Sequence, residues 1–160
     1  MGRVGYAEKT HAKSDSCKIN LDLKAWHNLK KVREYVDAAG LGDRVFYTGV
    51  SEKEVEQVCS AGTGIPYYLN VRFDMADKGN ETFLISLAEK IRALGAIGIN
   101  CHYSFADETM VRVMRERGLL VSVWTPNTCA TQNKMLSLAP DNITTKKPER
   151  LTYYIEQRKK

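Results

Sequence analysis

No stretch of the chain approaches the ~18 consecutive apolar residues that a membrane-spanning helix needs. The opening MGRVGYAEKTHAKSDS is polar, with no apolar segment after its charges, and Tyr6 stands where a myristoylation motif requires serine or threonine. No classical export signal or N-terminal lipid is therefore expected. The four cysteines, Cys17, Cys59, Cys101 and Cys129, include no C-x-x-C pair, which argues against a zinc or redox centre. They read as reduced thiols, and the expected compartment is the cytoplasm. Only three histidines occur, His11, His27 and His102, and H-E-x-x-H, G-x-S-x-G and Walker patterns are all missing. Gly62-Thr63-Gly64 is too short for a dinucleotide fingerprint. A concentrated basic surface is missing as well: the +5 net charge divides into +2 over residues 1–24, −1 over 25–143 and +4 over 144–160. Nucleic acid is thus not an expected partner, and the terminal cluster of Lys146, Lys147, Arg150, Arg158, Lys159 and Lys160 reads as a solvated helix.

The 160 residues, 43% of them hydrophobic, suit one domain over residues 1–160 with a sizeable core. Six times along the chain, a short run rich in β-branched or aromatic residues precedes a longer stretch of helical periodicity. The strand candidates are residues 18–23, 44–49, 66–71, 96–103, 119–125 and 141–145. Between them, Leu29, Val32 and Val36 recur at helical spacing, as do Leu84, Leu87, Ile91 and Leu94. Ser51 with Glu54 reads as a capping box, Asn80 and Asp107 as N-caps, and Pro148 suits a first helical position. Gly40, Gly62, Gly95 and Gly118 stand where helices should end.

Strict alternation of strand and helix predicts a parallel α/β sheet, either an open doubly wound sheet or a barrel. A complete (β/α)₈ barrel has eight units in about 250 residues, so six units make an incomplete, TIM-barrel-like one. In both architectures the chemistry gathers at the carboxyl ends of the strands.

Alternation at the end of the first strand puts Asn20, Asp22 and Lys24 on one face. Two readings stand: Asp22 as a ligand of a hard divalent cation with Lys24 on a phosphate oxygen, or a structural ion pair. The fifth unit ends in Val123-Trp124-Thr125-Pro126-Asn127. Trp124 either lines a pocket for the carbon part of a substrate or packs in the core, and Asn127 or Thr128 caps the next helix. His102, at the end of the fourth strand, either serves as phosphate donor or acid–base group, or makes a structural hydrogen bond. Cys129, just inside a predicted helix start, is either a thiol with a lowered pKa or a packing residue.

The segment GLLVSVWTPNTCATQNKMLSLAPDNITTKKPERL resembles the end of glycerophosphodiester phosphodiesterases. It carries, in order, a Gly-Leu, a strand finishing in Trp-Thr-x-Asn, a short helix and an Asp-x-Ile-Thr-Thr-x-x-Pro segment. INLDLK and GLGDRVFYTGV resemble two earlier strands of the same family, so that the resemblance covers about residues 17–151. It implies strands three to eight of a (β/α)₈ barrel that hydrolyses glycerophosphodiesters to glycerol phosphate and an alcohol with the help of a divalent metal, Mg²⁺ or Ca²⁺. Carried over, Asp22 matches the metal carboxylate, usually Glu in the family. Lys24 matches the phosphate-facing lysine and Trp124 the pocket tryptophan, while Asn127 falls in the same substrate-binding motif. His102 and Lys24 are the expected catalytic side chains. The family's opening His-Arg-Gly strand and Glu-x-Asp pair have no counterpart in residues 1–16. The alternative is therefore a non-catalytic truncated relative that binds phosphate or another protein. The unclosed barrel leaves two strand edges, for which self-association or docking of a completing segment is expected.

Overall fold

The structure, a computed structural model, describes residues 18–159. Six strands are present: β1 (Ile19–Asp22), β2 (Val45–Val50), β3 (Tyr67–Asn70), β4 (Gly98–His102), β5 (Leu120–Trp124) and β6 (Asn142–Thr144). Each is followed by a helix, namely α1 (Leu29–Ala38), α2 (Val55–Ser60), α3 (Glu81–Ala93), α4 (Glu108–Glu116), α5 (Cys129–Leu138) and α6 (Pro148–Gln157). All six expected units form: β2 keeps the length of its run, shifted by one residue, and the other five strands are two or three residues shorter than theirs.

The strands form one parallel sheet in the order β1-β2-β3-β4-β5-β6. That order never reverses, so the sheet has no switch point, and the doubly wound reading falls. Crossovers of one hand lay the helices on a single face, and the sheet curls into a half-barrel whose concave side carries no helix among the described residues. On the convex side, Val45, Tyr47, Leu69, Ile99, Cys101, Val121 and Val123 are buried under the helices, against Leu84, Ile91, Met110, Met114 and Met135. The edge strands β1 and β6 have no buried residue.

The local signals act as expected. Asn80 Oδ1 accepts from Phe83 N at 3.1 Å and Asp107 Oδ1 from Met110 N at 2.8 Å, satisfying amides that the first helical turn leaves free. Thr128, rather than Asn127, caps α5, accepting from Thr131 N at 3.2 Å. Glu54 closes its half of the capping box on Ser51 N at 3.0 Å, although the segment Glu52–Glu54 is a 3₁₀ turn leading into α2. Gly98 opens β4 because of a close approach: a Cβ there would overlap the Leu120 backbone of β5.

The terminal basic cluster departs from the solvated-helix expectation. Arg150 Nε donates to Gln132 Oε1 at 2.8 Å and Arg158 donates to Asn133 O at 3.1 Å, so two of its guanidiniums fasten α6 onto α5. Leu151 packs beneath them, 8% exposed. His11 and Cys17 lie outside the described residues. Cys59, Cys101 and Cys129 are free thiols. Cys129 is exposed rather than packed, and its pKa is lowered, chiefly by a hydrogen bond with Tyr154 and further by the Arg150 charge.

Candidate functional site

The concave face carries two polar rows that follow from period-two alternation along the strands. The inner row is a hydrogen-bonded belt crossing all six strands. Thr48 Oγ1 donates to Asn20 Oδ1 at 2.9 Å, and Gly49 N donates to Asn70 Oδ1 at 3.1 Å. Asn100 Nδ2 also donates to Asn70 Oδ1, at 2.7 Å; Ser122 Oγ donates to Asn100 Oδ1 and Asn142 Nδ2 to Ser122 Oγ, each at 2.8 Å. Burying such groups is costly unless they are bonded, and here each one's partner comes from the next strand.

Nearer the carboxyl ends, a cleft of about 340 Å³ opens above this belt. Asp22, Lys24, Arg72, Trp124, Thr125 and Thr144 line its mouth, with Asn20, Thr48, Asn70 and Asn100 as its floor. Lys24 Nζ lies 2.7 Å from Asp22 Oδ2, and the two side chains keep 78% and 54% of their exposure. The pair is therefore solvated, and two ammonium protons remain for a ligand. Gly49 makes room for it: at φ +85° it occupies a left-handed conformation, and a Cβ there would lie 2.7 Å from Asp22 Oδ1.

Arg72 has neither an ion pair nor a hydrogen bond among the described residues, although it lines the same cleft. Sequence reasoning missed it. The signal was present: Asn70-Val71-Arg72 repeats the alternation of Asn20-Leu21-Asp22 and places the guanidinium on the concave side. Trp124 is partly buried, and its indole Nε1 is buried with no acceptor among the described residues.

The other two candidates lie outside this lining. The His102 ring meets Trp124 nearly edge-on, 76° between planes and 5.1 Å between centroids, and its Nδ1 lies 2.7 Å from Ser104 Oγ. Asn127 Oδ1 accepts from Lys146 N at 2.9 Å and Thr145 Oγ1 at 3.2 Å, joining the loops after β5 and β6. The structure thus brings Asp22, Lys24 and Trp124 together and sets His102 against the tryptophan.

The donor set does not fit a resident divalent ion. Among the described residues Asp22 is the single carboxylate lining the cleft, and one of its oxygens already faces an ammonium. No group of three carboxylate, imidazole or thiol side chains converges among the described residues, whereas Ca²⁺ takes about six to eight oxygens and Mg²⁺ about six. In chemical terms the cleft offers cations and neutral donors, suited to an anionic ligand.

No family model and no curated protein matches the sequence. Solved structures do match the fold. A protein of Agrobacterium tumefaciens assigned by name to the glycerophosphoryl diester phosphodiesterases aligns with a TM-score of 0.70 at 17% identity, over 89% of this chain and 60% of that one. An Oleispira antarctica phosphodiesterase, solved with the product sn-glycerol-3-phosphate, aligns at 0.61 and 17% identity over 87% of this chain and 55% of that one. The glycerophosphodiester phosphodiesterase of Thermotoga maritima aligns at 0.58 and 17% identity over 88% and 57%. This chain therefore spans between half and two thirds of the structures it matches, and it shares with glycerophosphodiester phosphodiesterases the fold of part of their barrel.

Proposed function

We propose that the cleft binds the glycerol phosphate part of a glycerophosphodiester, and that the chain is the larger portion of a barrel of the phosphodiesterase type. One observation carries this reading: among the described residues, Lys24 and the unpaired Arg72 guanidinium line one cleft with the Trp124 side chain. A phosphodiester is a monoanion and its monoester product close to a dianion. Two cations neutralise either, and a guanidinium can grip two phosphate oxygens at once. The indole face offers an apolar wall for the glycerol carbons, while the Thr125 and Thr144 hydroxyls can meet its oxygens. Asp22 positions the Lys24 ammonium.

Hydrolysis to glycerol phosphate and an alcohol is the further step of the proposal. It requires one group to activate a nucleophile and another to protonate the departing oxygen. His102, adjoining Trp124, is the candidate within this chain for one of them. The second, and the carboxylates that would hold Mg²⁺ or Ca²⁺ together with Asp22, would come from β/α units that pair with the open edges of β1 and β6. Such units, or a second copy of the chain, are the proposed macromolecular partners, and the greater length of the matching structures supports the first. The free thiols of Cys59, Cys101 and Cys129 support a cytoplasmic setting.

Calorimetric titration of the chain with sn-glycerol 3-phosphate in EDTA tests the binding. Saturable binding is expected, weakened about tenfold or more in Lys24→Ala and in Arg72→Ala, since a charge-assisted hydrogen bond contributes about 1.5–3 kcal/mol. Absence of binding, or unchanged affinity in both variants, would overturn the reading. Metal-stimulated turnover of glycerophosphocholine by the chain alone, lost in Asp22→Asn, would overturn the need for added β/α units, since one carboxylate among the described residues does not hold the ion.

A further inference from the structure

A second cavity, of about 730 Å³, adjoins the cleft along β3 and shares Asn70 and Arg72 with it. It lies between the Ser51–Lys53 turn and α3, with a floor of Leu69, Phe83 and Leu87 and a polar rim of Glu52, Lys53 and Lys90. Asn70 is a fixed wall, its Oδ1 accepting from both Gly49 N and Asn100 Nδ2. Among the described residues Arg72 is the one exposed, unpaired charge bordering both spaces. A phosphodiester phosphorus held at Arg72 would carry its glycerol arm into the first space and its alcohol arm into the second.

The charges on the rim decide what that alcohol can be. Lys90 Nζ and Glu52 Oε2 form an ion pair at 2.6 Å and cancel. Lys53 remains, exposed, its side chain making no ion pair or hydrogen bond among the described residues. Phe83, the cavity's aromatic ring, packs against Phe73 at 5.4 Å between centroids, so no open cage of several rings is available for a quaternary ammonium. With Glu52, the one carboxylate of the rim among the described residues, already paired and a lysine left over, the rim repels a cationic headgroup and attracts an anionic one.

We propose that the cavity bordered by Arg72, Lys53 and the Glu52–Lys90 pair holds the alcohol arm of the diester and selects alcohols that carry a negative charge. This rests on the glycerol phosphate reading above. The test is competition among three ligands in EDTA: glycerophosphoinositol 4-phosphate, glycerophosphoinositol and glycerophosphocholine, with sn-glycerol 3-phosphate as the reference. The first is expected to bind about fivefold more tightly than the second, the gain of one solvent-exposed ion pair, and the choline ester most weakly of the three. Lys53→Glu should abolish the preference for the inositol phosphate and leave the affinity for sn-glycerol 3-phosphate unchanged. Equal affinity for the three diesters, or a Lys53→Glu variant that keeps the preference, would overturn the inference while glycerol phosphate binding still stood. Loss of sn-glycerol 3-phosphate binding itself would instead overturn the parent reading, and the inference with it.

Discussion

Asn100 sits in the middle of the polar belt, bonded on both sides, and replacing it with alanine exposes what the belt contributes. The side chain is 4% exposed, donates to Asn70 and accepts from Ser122. Truncation removes both bonds, each with a net value of about 0.5–1.5 kcal/mol. The partners do not suffer equally. Asn70 Oδ1 keeps the amide of Gly49, whereas the Ser122 hydroxyl, fully buried, keeps a donor in Asn142 but loses its own acceptor. An unpaired buried donor costs about 1–3 kcal/mol, part of which overlaps with the lost bond, so the expected destabilisation is about 2–4 kcal/mol. For a chain of this size that lowers Tm by roughly 10 °C. Urea unfolding of Asn100→Ala, Ser122→Ala and the double variant should show a coupling of about 1 kcal/mol between the two sites, because they share a bond. A loss below about 0.5 kcal/mol, or strict additivity, would refute the view that the belt is a mutually satisfied network.

Asp22→Asn and Lys24→Ala are expected to change stability by less than about 1 kcal/mol, since the pair they form is largely exposed. A fall above about 2 kcal/mol in urea unfolding would make the pair structural and remove it from the site. Gly98→Ala sets a Cβ against the Leu120 backbone and should cost at least about 3 kcal/mol, visible as lost soluble yield or lost near-ultraviolet dichroism. Burial pushes the phenols of Tyr67 and Tyr68 and the thiol of Cys101 up to about 12, with the thiol of Cys59 and the charge of Asp141 adding to the two tyrosine shifts. In the unfolded chain these groups ionise at about 10 and about 8.5. The folded state thus holds their protons longer, and stability should be complete below about pH 8.5 and fall steadily towards pH 12. A urea midpoint that stays level to pH 11 would contradict that assignment.

Much of the fold was legible because each unit carries its own local signals. A run such as LLVSVW, rich in β-branched and aromatic residues, marks a strand by its composition, and Asn80 and Asp107 mark helix starts by chemistry that acts within four residues. The sheet order was not legible, since the same alternation serves doubly wound and singly wound sheets. Asp22, Lys24 and Trp124 were found through motif and strand-end position. Arg72 escapes because the strand signal, PYYLNV over residues 66–71, stops one residue before it. Asn127 drew attention as part of the tryptophan motif, yet both of its carbonyl oxygens are engaged by the loop after β6 and by α6.

The polar belt also explains how a barrel-type sheet can stand with one side open. Closed barrels usually fill their interior with bulky branched side chains, which would leave an apolar surface in water if strands were missing. Here the middle row of the concave face is Asn20, Thr48, Asn70, Asn100, Ser122 and Asn142, and each bond joins residues on adjacent strands. Such a row needs no opposite wall to be satisfied, and its outermost members, Asn20 and Asn142, sit half-buried on the two edge strands, where water or an added strand can complete their bonding. The same row fixes the strand ends from which Asp22, Arg72 and Trp124 project. Cross-strand bonding beneath the cleft therefore does two things at once: it keeps the open face tolerable to solvent, and it holds the cations at the spacing on which anion binding depends.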